Sequence, residues 1–129
     1  MTRLEMVRSA YDAWDRGDVQ RLLELTHPDV EIAPLVIGVT SAGPWSGHDG
    51  VRRLASEART RWDRFALRCE DLLEFGDRIV AFVHVEVSAR AGGPVVTGEI
   101  AHLIEFEGDL VTSVVAYRER ADAVAAAEA

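Results

Sequence analysis

Cysteine occurs once in the 129 residues, at Cys69. A single thiol excludes an intrachain disulfide and makes a reducing compartment, the cytoplasm, the expected location. Cys69 alternates with charged neighbours and has no evident histidine partner, so a nucleophilic thiol is not expected. Long apolar runs are missing too. None approaches the roughly 20 residues that span a bilayer, and MTRLEMVRSAYDAW has neither a long apolar segment nor a small-residue cleavage site, so no membrane partner and no secretory signal are expected. Basic excess is absent: 14 Lys and Arg face 22 Asp and Glu, for a net charge of −8. Phosphate backbones require a basic face, so nucleic acid is not an expected partner. The one local basic cluster, VRRLASEARTRWDR, is interleaved with acids and reads as a solvated helix face. Neither glycine-rich phosphate motif occurs and the four histidines lack ligand spacing, so no cofactor and no metal are expected.

What the chain does have is apolar residues, 48% of the total, without repeats or low-complexity linkers. Residues 1–129 therefore read as a single domain with a core of its own. Thr2 and Glu5 have capping-box spacing, and Leu4, Val7, Tyr11 and Trp14 recur at helical spacing until Arg16-Gly17-Asp18. Asp18 can cap a short second helix with Leu22, Leu23 and Leu25. THPD, 26–29, reads as a turn, VEIAPLVIGV as a strand running into irregular chain, and 38–50 as a loop. Asp49 is a candidate cap for a third helix. The period then changes to two. FALRCEDLLEF, RIVAFVHVEVSAR, VVTGEIAHLIEF and LVTSVVAYRER read as four consecutive strands, followed by a short alanine-rich helix expected to fray. Helices first and a meander afterwards predict an α+β fold. Val83, Val85 and Val87 share the face expected to meet the helices, while Phe82 and His84 share the other. The last strand has apolar residues on both faces. A second covered face would fit a homodimer.

AYDAWDRGDVQRLLELTHPDVEI, GPWSGHDGVRRL, GDRIVAFVHVEV, AHLIEFEGDLV and AYRERADAVAA, in that order, resemble the SnoaL-like polyketide-cyclase group of the nuclear transport factor 2 and ketosteroid isomerase superfamily. The resemblance implies a cone: a curved antiparallel sheet wrapped around N-terminal helices, enclosing a pocket, with homodimers pairing through the outer sheet face. It implies a small apolar ligand and chemistry in the range of isomerases, cyclases and dehydratases, since one fold carries many functions. On the resemblance, His102 falls where the isomerase has its protonated oxyanion-hole aspartate. Val83, Val85, Val87 and Tyr117 fall on pocket-facing positions. The isomerase's general base falls on Pro34 and its oxyanion tyrosine on Ala10, with Tyr11 one residue off and about 100° around the helix. Of the dehydratase relative's Tyr-Asp pair, Trp14-Asp15 keeps only the acid.

His102 is the one ionisable group on a face shared with Ile100, Ile104 and Phe106. It reads as a pocket imidazole able to serve a carbonyl oxygen or take a proton, or as a core histidine bonded to backbone or to Tyr117. Asp15 is its candidate catalytic partner, or a solvated helix residue. Tyr11, Trp14, Trp45, Val83, Val85, Ile104 and Tyr117 are the candidate ligand-binding set, the aromatics bringing large apolar area with a polar tip. Trp45 is either a flap over the pocket mouth or an anchor. His27 reads as a turn residue, His48 as exposed and His84 as interfacial. The readings open at this stage are an enzyme acting on an oxygenated ring compound, a non-enzymatic binding domain, and a structural dimer module.

Overall fold

Thr2 starts the first helix as the capping-box spacing predicts. In the computed structural model, which describes residues 1–36 and 44–129, Thr2 Oγ1 accepts from Glu5 N at 3.1 Å and Glu5 Oε1 accepts from Thr2 N at 3.0 Å. These bonds satisfy two amide donors that have no partner inside the helix. The helix, α1, is Arg3–Arg16 and ends at Gly17, whose φ of 69° lies in the left-handed region that glycine enters freely. Asp18 then accepts from Arg21 N and caps α2, Val19–Leu25.

THPD is not the expected turn. It opens strand β1, Thr26–Ile32. Thr26 Oγ1 bonds back to Leu22 O at 2.9 Å, closing α2 while its backbone is already extended, so the chain needs no separate turn. The first part of the expected 38–50 loop, residues 38–43, lies outside the described residues. Its end is more ordered than expected: β2 is Trp45–Ser46, and α3 runs over Gly47–Arg61 with Ser46, not Asp49, at the cap position. Asp49 sits in the first turn, where a carboxylate opposes the positive end of the helix dipole.

The period-two segments form β3, Trp62–Phe75, β4, Arg78–Ala89, β5, Val95–Glu107, and β6, Leu110–Tyr117. α4, Arg120–Glu128, follows. The six-stranded sheet has the order β2-β1-β6-β5-β4-β3. β3 to β6 are an antiparallel meander, as expected, but β1 lies parallel to β6, so the sheet is mixed. A parallel pair needs a long crossover, and everything from β2 to β5 supplies it. Register shifts at Cys69/Asp71 and Glu105/Phe106 bend the meander, giving the curved sheet of the expected α+β fold.

One face of β4, with Ile79, Ala81, Val83, Val85 and Val87, packs with Val7 and Tyr11 of α1 and Val51 and Leu54 of α3. This is the inner face that the alternation indicated. Val80, Ala101 and Leu103 on the other face pack with Ala123 and Ala127 of α4. Burying side chains of the size of Leu103 or Val80 stabilises by about 1.5–3 kcal/mol each. α4 is thus docked rather than frayed. Arg78 Nη1 donates to the carbonyl oxygens of Ala126, Ala127 and Ala129 at 3.4, 3.4 and 3.0 Å, capping its C-terminal end. The second covered face therefore has its cover within the chain and does not by itself call for a second copy. Beyond α4 that face is charged. Arg120 Nη2 donates to Glu70 Oε1 at 2.9 Å and Glu99 Oε2 at 2.7 Å, its guanidinium lies 4.6 Å from the Phe82 ring centre, and His84 Nδ1 lies 2.6 Å from Glu99 Oε1.

β3 is a 14-residue edge strand, and an unpaired edge invites pairing with other chains. α1 blocks it: Trp14 Nε1 donates to Phe65 O at 3.0 Å and Leu67 N donates to Asp15 Oδ1 at 3.1 Å. Asp15→Ala, which leaves the Leu67 amide without this acceptor, should cost about 1 kcal/mol. Asp15→Asn keeps an acceptor oxygen and should lose much less. Urea unfolding midpoints of the two variants test this; equal losses would mean that the hydrogen bond is not what matters.

Candidate functional site

Alternation along β5 turns Ile100, His102 and Ile104 inward, beneath α1. His102 is fully buried. Its Nε2 lies 2.8 Å from Leu35 O and its Nδ1 lies 2.6 Å from Tyr11 Oη. A carbonyl oxygen can only accept, so the network assigns the proton to Nε2. Nδ1 is then bare and accepts from the Tyr11 hydroxyl. Both imidazole nitrogens are engaged by protein groups. Burial pushes the His102 pKa down from 6.5 to about 4, against a smaller opposing effect of the Leu35 carbonyl. Burial likewise holds the Tyr11 hydroxyl well above the ordinary phenol range. At neutral pH the pair is uncharged.

This pair borders a cavity of about 90 Å³, walled by Val7, Tyr11 and Trp14 of α1, Leu22 of α2, Val51 and Leu54 of α3, and Leu67, His102 and Ile104 of the sheet, among others. Because the polar atoms of Tyr11 and His102 are turned onto each other and onto Leu35 O, the wall is almost wholly apolar. On the far side of Trp14 and Leu22 lies a larger, open groove of about 540 Å³ between α1, α3 and the start of β3. Trp14 meets Phe65 edge-on at 5.4 Å, and Phe65 meets Trp62 edge-on at 6.4 Å along it.

The expected site residues separate on this map. Tyr11, Trp14, His102 and Ile104 line the cavity. Tyr11 is not rotated away from the cavity, as the one-residue offset suggested. The helix face is wide enough for Ala10 and Tyr11 both to border the cavity, and the tyrosine reaches the imidazole. Asp15 does not meet His102. It lines the groove and holds the Leu67 amide, its pKa raised by burial and only partly drawn back by that hydrogen bond. Val83 and Val85 pack in the inner core but are not among the cavity-wall residues. Trp45 behaves as an anchor. It packs on the same core with its backbone against Gly50, where a Cβ would come within 2.8 Å of Trp45 C, and Arg53 covers its ring at 5.6 Å. Tyr117 is corrected outright: it pairs with Ala101, not His102, and packs in the cluster under α4 on the outer face. His48 is tied to Thr26 O at 2.9 Å, and His27 Nδ1 accepts from Asp29 N at 3.0 Å. The sequence reading missed the Leu35 carbonyl, for which no side-chain pattern exists. It also missed Leu22 and Leu67, which lie on an expected helix and an expected strand with nothing in the sequence to mark them as cavity walls. Among the described residues no group of His, Cys, Asp or Glu is arranged to hold a metal ion.

The family model for the SnoaL-like domain matches residues 7–114. The chain belongs to the SnoaL-like family. Solved structures agree on the fold. An NTF2-like protein of unknown function from Burkholderia pseudomallei is 24% identical over 100% of both chains, with a TM-score of 0.79. TerC, co-crystallised with polyporic acid, is 23% identical over 98% of both chains at 0.78. A protein with a ketosteroid isomerase-like fold from Catenulispora acidiphila, in complex with trimethylamine, is 15% identical over 88% of this chain and 84% of its own at 0.77. None of the curated proteins matches the sequence. As a SnoaL-like, NTF2-fold domain the chain is of a kind consistent with small-ligand binding. No helix among the described residues is long and apolar enough to cross a membrane.

The lowered His102 pKa has a definite sign. Between about 4 and 6.5 the unfolded chain binds a proton that the folded protein excludes. Stability therefore falls as pH drops through that window, and from pH 7 to pH 5 this one group should remove about 2 kcal/mol. Urea unfolding at the two pH values, with the His102 ring followed by NMR, checks it. A His102 ring that titrates near 6.5 in the folded protein would contradict the buried, neutral pair.

Proposed function

We propose that the protein binds a small apolar molecule in the cavity beside Tyr11 and His102. The observation that carries this is a nearly unbroken apolar wall around about 90 Å³ of space beside the core. Apolar cavities accept apolar guests; an enclosed one of about 150 Å³ takes benzene. The resting cavity is smaller, so its natural occupant is a molecule of a few heavy atoms, or the apolar end of a larger one, rather than a whole oxygenated ring. The similar structures that hold polyporic acid and trimethylamine support reading this fold as a ligand carrier.

Acid–base chemistry is the second reading, and the 2.6 Å Tyr11–His102 bond favours it. In that reading the reacting group is the Tyr11 hydroxyl. His102 is a positioning residue, because both of its nitrogens are engaged. A ligand carbonyl would draw on the Tyr11 proton only when the hydroxyl turns from Nδ1 into the cavity, where the apolar wall offers it no competing protein acceptor. Asp15, held at the edge of β3, takes no part. The free Cys69 suits a reducing, cytoplasmic setting.

Xenon is a suitable first probe, being apolar and small. Under xenon pressure, NMR signals from the methyls of Val7, Leu54 and Ile104 and from the His102 ring should shift with a saturating dependence, while those of Val80 and Leu103 on the outer face should not. Shifts that are uniform over both faces, or absent, would refute the cavity as a binding site.

A further inference from the structure

Two spaces meet at one partition. Leu22 and Trp14 are the two residues that line both the 90 Å³ cavity and the 540 Å³ groove. We propose that these two side chains divide a single ligand path into an inner chamber and an outer vestibule, and that Leu22 sets the size of ligand admitted. The ligand class that follows is a single apolar ring, too large for the inner chamber alone, whose edge would extend past Leu22. This inference rests on the cavity being a ligand site.

The two residues differ in how firmly they are held. The Trp14 indole donates to Phe65 O at 3.0 Å and packs edge-on against the Phe65 ring. It is tied to the rim of the sheet, and moving it would uncover the edge of β3. Leu22 has no polar tie on its side chain. It is half-buried on α2, a helix of seven residues. Its backbone is pinned, since Leu22 O accepts from Thr26 Oγ1 at 2.9 Å, and α2 is held at its start by the Asp18 cap. The geometry makes Trp14 the fixed post and the Leu22 side chain the removable panel. Beyond the panel the groove continues with apolar surface, Ala55 and Ala58 of α3 facing Trp62 and Phe65. A ring that crosses Leu22 therefore leaves an apolar wall and meets a mixed one, whose apolar part these four side chains supply. The charged groups of the groove, Asp15, Arg16, Arg59, Asp63 and Arg64, serve the vestibule only; none of them lines the inner chamber.

The test compares the wild-type protein with Leu22→Ala and Leu23→Ala, using benzene as the ring-sized probe and xenon as the small one, both read by methyl NMR titration. Leu23 is half-buried on the same helix and belongs to the same core, but lines neither space, so its variant reports general loosening. Leu22→Ala should bind benzene at least tenfold more tightly than wild type, with methyl shifts at both Ile104 in the cavity and Ala58 in the groove, while Leu23→Ala stays within about twofold of wild type. If Leu22→Ala does not fold, Leu22→Val should show a gain of at least threefold. Wild-type protein that takes up xenon, with benzene affinity unchanged in the Leu22 variants or raised equally in Leu23→Ala, would overturn the partition while leaving the cavity reading intact. Wild-type protein that takes up no xenon would overturn the cavity reading itself, and the partition with it.

Discussion

The Tyr11–His102–Leu35 chain of hydrogen bonds joins α1, the middle of the sheet and the chain just past β1 at one buried point. A histidine placed in an apolar interior must either find partners for both nitrogens or expel them to water. Here each partner decides something else. The Leu35 carbonyl chooses the tautomer, the tautomer makes Nδ1 an acceptor, and the Tyr11 hydroxyl donates its one hydrogen bond to Nδ1. With those polar atoms spent on one another, the cavity beside them has an apolar wall, and burial keeps the imidazole uncharged at neutral pH.

The arrangement also changes what the resemblance to ketosteroid isomerase implies. In the resemblance, His102 takes the place of an acid that donates to a ligand oxygen. In this chain the imidazole donates to Leu35 and receives from Tyr11 instead. The tyrosine, not the histidine, is the group with a choice of partner. Fold membership alone therefore does not say which of the two residues would face a ligand.

Much of the architecture was legible because it is local. The capping box at Thr2, the Gly17 stop, the change from helical to alternating period and the glycine turns each depend on a few neighbouring residues. The misreadings have long-range causes. THPD has turn-like residues, yet it is extended because β6 offers a parallel partner more than 80 residues further along, Thr26 facing Val111. The alanine-rich tail has little apolar area per residue. It is nonetheless docked because Val80, Ala101 and Leu103 present a surface of matching shape and Arg78 reaches its last carbonyls. Tyr117 lies on the outer face although the resemblance puts it at the pocket wall; the last strand carries apolar residues on both faces, so periodicity leaves the choice open and only the pairing with Ala101 decides it.

By itself the sequence determined that β5 would carry one ionisable side chain on its inner face, because alternation at period two is a property of the strand alone. It determined likewise that Tyr11 and Trp14 would lie on the buried stripe of α1, through the 3.6-residue period. Only the tertiary structure decided that Tyr11 meets His102 and that Asp15 does not. Which residues touch across elements depends on the crossing of α1 over the sheet, which sets the Tyr11 hydroxyl over the imidazole and the Asp15 carboxylate, four residues on, at the sheet's edge. The cavity belongs to the same category. An empty space is a failure of several side chains to fill a volume together, and no single position in the sequence records it.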